Sequence, residues 1–314
     1  MPKADERGIA LLLSLLVLTL LTALILEFDA EARREYREAA AFRDSYKADM
    51  LTRAAVKAAR AVLMQDFLRE RTSGNKFDAL TDIWALPIKN YQIGDGILTA
   101  HIQDEQGKLN LNDLAANAGD DLKQKQKILR VRRLFELLQL NQNLVDSLID
   151  WVDQDDLPQP SGAESVYYQS QKPPYRAANG PLPALGELRL VKGFTPEIID
   201  RIARYVTVYP LEGGGVVNLN TADPIVIQTL DPRITQSMAQ EIVQGRPYRT
   251  KVDLDRVGSF QEIGQTMRNE YDVKTDYFSA QLSLTINETT KSAFAILKRD
   301  ANKGESTVEY MRIL

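Results

Sequence analysis

Two hydrophobic patterns are joined end to end at the start of the chain. From Ile9 to Leu26, IALLLSLLVLTLLTALIL, no position carries a charge, and the polar side chains are Ser14, Thr19 and Thr22, whose hydroxyls can bond back to their own helix. At ~1.5 Å per residue the run spans about 27 Å, close to the hydrocarbon core of a bilayer. Beyond it the apolar positions thin to one in three or four: Phe28, Ala32, Tyr36, Ala39, Phe42, Tyr46, Met50, Ala54 and Ala58, with Arg and Glu between them. That spacing predicts the same helix continuing in amphipathic form. No Pro or Gly interrupts residues 9–70, and the first stop signal is Thr72-Ser73-Gly74-Asn75. The stripe is rich in Ala rather than in Leu heptads, which predicts close packing against a sheet rather than a coiled-coil stalk.

Period two then takes over. Tyr91–Ile93 and Ile97–Ile102 flank Gly94-Asp95-Gly96, a β-hairpin signature with His101 in its second strand. Residues 113–260 read as helical, with amphipathic stretches at 128–140, 144–152 and 196–206, the last capped by Thr195. Within them, 184–206 and 218–245 read as two weak copies of a helix-hairpin-helix unit. Three strands close the chain at 277–286, 292–299 and 307–313, with turns at Asn287 and Asn302-Lys303-Gly304. Early and late strands around a helical block predict an α+β fold: a long N-terminal helix on an antiparallel sheet, with a large helical insertion.

Composition narrows the chemistry. The 314 residues carry 39 Lys plus Arg against 43 Asp plus Glu, a net charge of -4. A chain built to grip polyphosphate has the opposite bias, so nucleic acid is not an expected partner. There is no cysteine, which removes disulfides, thiolate metal sites and thiol nucleophiles, and the one histidine is His101. The apolar run passes directly into Glu27, Phe28 and Asp29 without a small-x-small cleavage site, so it is read as retained. In the leader, Lys3 and Arg7 are balanced by Asp5 and Glu6. The chain is therefore expected to cross a membrane once, with its bulk outside the cytoplasm.

One constellation has metal-ligand chemistry: Asp150, Asp153, Asp155 and Asp156, followed by Glu164. Hard cations such as calcium take about six to eight oxygens. Pro158, Pro160 and Gly162 let the loop fold back and bring Glu164 to the aspartates. The expected ligands are Asp153, Asp155 and Glu164, with Asp150 next; the spacing is not that of an EF-hand, and the alternative is a solvated acidic loop with helix-capping aspartates. A DNA clamp needs hairpin N–H donors. Val191-Lys192-Gly193-Phe194 keeps one glycine, and Leu230-Asp231-Pro232-Arg233 puts an acid and a proline there, so a packing role is expected. Ser73-Gly74-Asn75-Lys76 and Glu212-Gly213-Gly214-Gly215 lack the companions of a serine nucleophile or a phosphate loop. No catalytic set is found.

The leader ending in Gly8, with Ile9 opening an apolar helix, resembles the processing site of type IV pilins and pseudopilins. The resemblance implies cleavage after Gly8 by prepilin peptidase and N-methylation of Ile9. Most of that family carries a glutamate five residues after the cut, where this chain has Leu13. A carboxylate in lipid is costly unless paired, and a subunit at the filament tip has no neighbour to pair it. The K-type minor pseudopilin of type II secretion is the member lacking that glutamate. Asp150-Trp151-Val152-Asp153-Gln154-Asp155, Gly162-Ala163-Glu164, Tyr167-Tyr168, Pro174 to Asn179, Glu187 to Gly193 and Val217 to Ala222 resemble the middle of K-type chains. The resemblance covers residues 8 to about 225, and the remainder matches more loosely.

It implies a type IV pilin-like fold divided into a leader (1–8), a transmembrane helix (9–28), a pilin-like helix with first strands (29–112), an α-helical insertion (113–260) and C-terminal strands (261–314). It implies calcium in the acidic loop, an inner-membrane anchor and a periplasmic head. The implied partners are the I- and J-type minor pseudopilins, the major pseudopilin, the prepilin peptidase, the inner-membrane secretion platform and secreted proteins. The expected function is non-enzymatic, at the tip of the pseudopilus that exports folded proteins. The competing reading is a membrane-anchored helix-hairpin-helix DNA-binding protein of a DNA-uptake system.

Overall fold

The computed structural model describes residues 6–74, 76–115 and 121–314. Most of the expected leader, Asn75 of the stop signal and residues 116–120 of the helical block lie outside the described residues. The apolar run and its amphipathic continuation form one helix, α1 (Glu6–Ser73), 68 residues long and about 100 Å end to end. The hydroxyls of Ser14, Thr19 and Thr22 donate to the carbonyls of Ala10, Leu16 and Leu18. Among the described residues α1 is the one helix long and apolar enough to cross a membrane.

Strands β1 (Ile88–Ile93) and β2 (Gly96–Asp104) form the expected hairpin around Gly94-Asp95, with Gly94 at φ +58 where a side chain would be strained. The chain then leaves the sheet. It passes through β3 (Leu109–Asn110), α2 (Asp121–Leu137), α3 (Leu144–Val152), α4 (Ser165–Gln169) and α5 (Pro196–Ile202). After β4 (Val206–Thr207) and β5 (Val217–Asn218) come α6 (Pro224–Thr229), α7 (Gln236–Gln244), α8 (Lys251–Leu254), α9 (Gln261–Thr266) and β6 (Tyr271–Asp272). It returns as β7 (Tyr277–Ile286), β8 (Thr289–Arg299) and β9 (Ser306–Ile313).

The sheet has order β1-β2-β7-β8-β9, every neighbour antiparallel. Because β2 pairs directly with β7, the inserted unit leaves and rejoins at one corner, where Glu105 N–H donates to the Tyr277 carbonyl at 2.9 Å. The stretch 261–276, grouped from the sequence with the C-terminal strands, carries α9 and β6; β6 runs parallel to β5 inside the insertion. The helix expected at 196–206 ends at Ile202, since Val206-Thr207 is drawn into a parallel ladder with Leu109-Asn110. β-Branched residues suit that ladder better than a helix terminus. Thr195 caps α5 as expected, accepting from Ile198 N–H.

Two cores result. In the first, Ala48, Ala55, Val56, Ala59 and Leu63 of α1 meet alternate residues of the sheet: Leu98, Ala100 and Ile102 on β2, Phe278 to Ile286 on β7, and Ala293, Ala295 and Leu297 on β8. This corrects the expected stripe. Phe42, Tyr46, Met50, Ala54 and Ala58 point to solvent, and a neighbouring face packs on the sheet. The sheet presents alanines there, and small residues on both sides let backbone approach backbone; a Phe/Tyr/Met face would not fit. The second core fills the insertion around Phe135, Trp151, Tyr168, Phe260 and Tyr271 and reaches Tyr277 and Ile296 on the sheet's other face. There, beside half-buried His101, the sheet and insertion enclose a cleft of about 960 Å³.

Candidate functional site

The acidic constellation is assembled from the C-terminal end of α3 outward. Asp146 and Asp150, one turn apart, aim their carboxylates at the loop that follows. Asp150 accepts from Gln159 N–H at 3.0 Å, and Asp146 accepts from Ser161 N–H at 3.1 Å while also pairing with Arg132. Gly162 lies against the Asp150 carboxylate so closely that a Cβ there would collide with it. From the other side Lys192 donates to the carbonyls of Gly162 at 2.8 Å and Ser161 at 3.3 Å. The loop is thus folded back onto α3, and Glu164 arrives at the N-cap of α4 facing the aspartates.

One carboxylate oxygen from each of Asp153, Asp155 and Glu164 lies within 4.8 Å of the other two. Asp153 and Glu164 are each 5% exposed, and Asp155 is open to solvent. Asp153 Oδ1 and both oxygens of Glu164 are buried without a hydrogen-bond partner. Unsatisfied buried acceptors of this kind carry a large desolvation penalty, and anionic ones a larger one. Burial first, and repulsion from neighbouring aspartates second, pushes Asp153 and Glu164 each up to about 7. The buried oxygens therefore converge on a place that wants positive charge. Asp150 stands apart from the three: its oxygens are engaged by the loop backbone, so it holds the loop while the others face the opening.

A wall of aromatic rings supports the loop. Trp151 packs edge-on against Tyr168 with centroids 5.0 Å apart, Tyr175 completes the group, and the Trp151 indole donates to Glu187 at 3.0 Å. Asn179 donates to Asp156 and to the Asp155 carbonyl, and its own side-chain oxygen is buried and unpartnered beside the cluster. Asp146, Lys192 and Asn179 were not singled out as site residues from the sequence. The four-residue spacing of Asp146 and Asp150 was a usable signal, whereas Lys192 reaches the loop across 30 residues.

The helix-hairpin-helix-like segments are built as packing units. The first turns at Gly193 (φ +83), and its lysine is spent on the acidic loop. In the second, Asp231 accepts from the Arg233 backbone and side chain, closing its own turn. At the other end of the chain, Gly8, Ile9 and Leu13 all lie on α1 with their surroundings open; Leu13 is 56% exposed.

Two family models, both described as type II secretion system (T2SS), protein K, match residues 107–211 and 217–274, close to the bounds of the insertion. Type II secretion system protein K of Aeromonas hydrophila is 29% identical over 304 residues, covering 90% of each chain. The protein of that name from Klebsiella pneumoniae is 31% identical over 250 residues, covering 77% of this chain and 75% of its own. The fold matches a chain in the crystal structure of the GspK-GspI-GspJ complex from the type 2 secretion system of enterotoxigenic Escherichia coli. The TM-score is 0.74 at 19% identity, over 88% of this chain and 99% of that one. With its matching insertion and its end-to-end relatives, the chain belongs to the type II secretion system protein K family.

Proposed function

We propose that the protein is a non-enzymatic minor pseudopilin at the tip of the type II secretion pseudopilus, anchored once in the bacterial inner membrane with its head in the periplasm. The observation that carries this reading is the second face of α1. Phe28, Tyr36, Phe42, Tyr46 and Met50 stand exposed along a helix whose other face is already packed on the sheet. An apolar helical face left open in this way suits other helices of the same kind. The similar fold solved together with GspI and GspJ supports I- and J-type minor pseudopilins as the partners. The major pseudopilin, the prepilin peptidase, the inner-membrane platform and secreted proteins complete the expected set. A large insertion beside the sheet is awkward to stack within a filament and suits its end, and Leu13 removes a carboxylate that a tip subunit has nothing to pair with.

The Asp153, Asp155 and Glu164 loop fits calcium as a structural ion. Its oxygen-only donors, two of them buried and unpartnered, match a hard cation, and Asn179 Oδ1 is a further oxygen at its edge. When bound, the ion would neutralise carboxylates that otherwise repel one another; Asp146, Asp150 and Lys192 hold the loop in register for it. Gly8→Ala tests the assembly reading in cells. The expected result is an unprocessed precursor trapped in the membrane and loss of secretion. A mature chain beginning downstream of Phe28, or normal processing of the variant, overturns it.

A further inference from the structure

A second group of carboxylates lies where the far end of α1 meets the sheet, distant in sequence from the acidic loop. Asp66 and Glu70, one turn apart on α1, face Asp78 and Asp82 of the segment that follows, and one oxygen from each of the four lies within 4.8 Å of the rest. Arg299, at the end of β8, is the cation among them. Its Nη2 is fully engaged, donating to both oxygens of Asp78 at 2.6 and 2.7 Å and to the Thr275 carbonyl at 2.9 Å. Its guanidinium lies over the Phe278 ring, 4.9 Å from the centroid. Asp78 also accepts from Thr275 N–H, and Asp82 from Ala79 N–H.

The other two acids are not served. Asp66 is 5% exposed; its Oδ2 accepts no hydrogen bond and makes only a long ion pair, 3.7 Å, with Arg299 Nη1, which like Nε of the same guanidinium is buried without a hydrogen-bond partner. Glu70 Oε1 is likewise buried and unpartnered. The surrounding charges do not restore balance: Arg69 and Lys274 are offset by Asp276 and Asp272. Burial, reinforced by mutual repulsion, pushes Asp82 up to about 6, Asp66 to about 7 and Glu70 to about 8. Four carboxylates, two buried and two half-buried, thus share one guanidinium, and one oxygen each of Asp66 and Glu70 is buried without a hydrogen bond.

We propose that Asp66, Glu70, Asp78 and Asp82 form a second divalent-cation site, of the hard, oxygen-ligated class to which calcium belongs. Two ligands from one helix face and two from the following segment would enclose the ion, leaving room for water in its remaining positions. The site joins three parts of the molecule. Asp66 and Glu70 belong to the anchor helix. Asp78 reaches the sheet through Arg299, and its carbonyl accepts from Asn218 of the insertion at 3.1 Å. Occupancy would stiffen the joint between the membrane helix and the head.

The test is calcium titration by calorimetry of the full-length chain in detergent, stripped of ions with EGTA, at about pH 9, above the value to which burial raises Glu70. D66N/E70Q is expected to bind one ion fewer than the wild type. D153N/E164Q, which disables the loop, is expected to keep the ion that D66N/E70Q loses. Because the amides remove buried repulsion, ion-free D66N/E70Q should also melt higher than the ion-free wild type. Equal stoichiometry in wild type and D66N/E70Q overturns the proposal. So does a lower ion-free melting temperature in D66N/E70Q, which would make the cluster an ion-pair network that merely needs its charges. If D153N/E164Q does not fold, the comparison of D66N/E70Q with wild type decides alone. The proposal does not rest on the tip reading, which stands or falls on processing and secretion.

Discussion

Adjacent residues on α1 separate its two faces and allow them to be tested against each other. Ala55 is 5% exposed and packs in the core that holds Ala280 and Ala295; Ala54, the next residue back, faces solvent. Ala55→Leu forces three extra carbons between helix and sheet, and overpacking of this size costs about 1–3 kcal/mol. For a head of this size each kcal/mol moves the melting temperature by about 2–4 °C, so a fall of about 2–12 °C is expected. Ala54→Leu changes neither packing nor helix propensity materially and should stay within about 0.5 kcal/mol, under about 2 °C. Tyr46→Ala completes the set. Tyr46 is 61% exposed on the open face, so melting should not move. Capture of the proposed I- and J-type partners by the full-length chain should weaken, by about 2 kcal/mol or roughly 30-fold if the ring anchors a partner helix. Melting is followed by circular dichroism in detergent, and capture by co-purification. Ala54→Leu melting as low as Ala55→Leu, or Tyr46→Ala destabilising the head while leaving partner capture intact, would refute the assignment of the two faces.

The acidic loop gives two further expectations. Asp153 and Glu164 stand at about 7, so the ion-free folded chain holds protons that the unfolded chain gives up. That contribution is complete below about pH 4 and is lost as pH climbs through about 7. Calcium needs the ionised carboxylates, so its effect runs the other way. Measured in the D66N/E70Q background, the calcium-induced stabilisation, followed by the rise in melting temperature, should grow from about pH 5.5 to pH 8, approach about 2.7 kcal/mol at a hundredfold excess over Kd, and vanish in Glu164→Gln. A calcium response in Glu164→Gln equal to that of its parent contradicts this. Gly162→Ala places a methyl group against the Asp150 carboxylate and should lower both melting temperature and calcium affinity, although no proposed ligand is changed. An unaltered calorimetric titration would show that the loop is not held as described.

What could be read along the chain was local, and what could not be read depended on distant pairing. Tyr277–Ile286 and Leu144–Val152 end where their patterns end, because period two and period 3.6 are each written within about ten residues. α1 carries apolar residues on two faces, and periodicity marks both without saying which one a sheet will take. The alanines at 280, 293 and 295 make that choice, more than 200 residues away, by favouring a face built mainly of Ala, Val and Thr, with Leu63 at its end.

The two carboxylate groups differ in the same way. Asp150 to Asp156 is conspicuous because four acids crowd one short segment, yet the side chains that shape the loop, Arg132 and Lys192, come from elsewhere. Asp66, Glu70, Asp78 and Asp82 are spaced like the ordinary solvated charges of a helix end, and only Arg299 and the sheet beneath it bury Asp66 and Asp78 and half-bury Glu70 and Asp82. Acidic residues that are unremarkable in sequence become costly once a fold removes their water. A fold that keeps such groups, with oxygens left unsatisfied, must recover that cost from protons or from a cation. Calcium stoichiometry distinguishes the two, since protonation of Asp66 and Glu70 would leave the number of bound ions unchanged when both are made neutral.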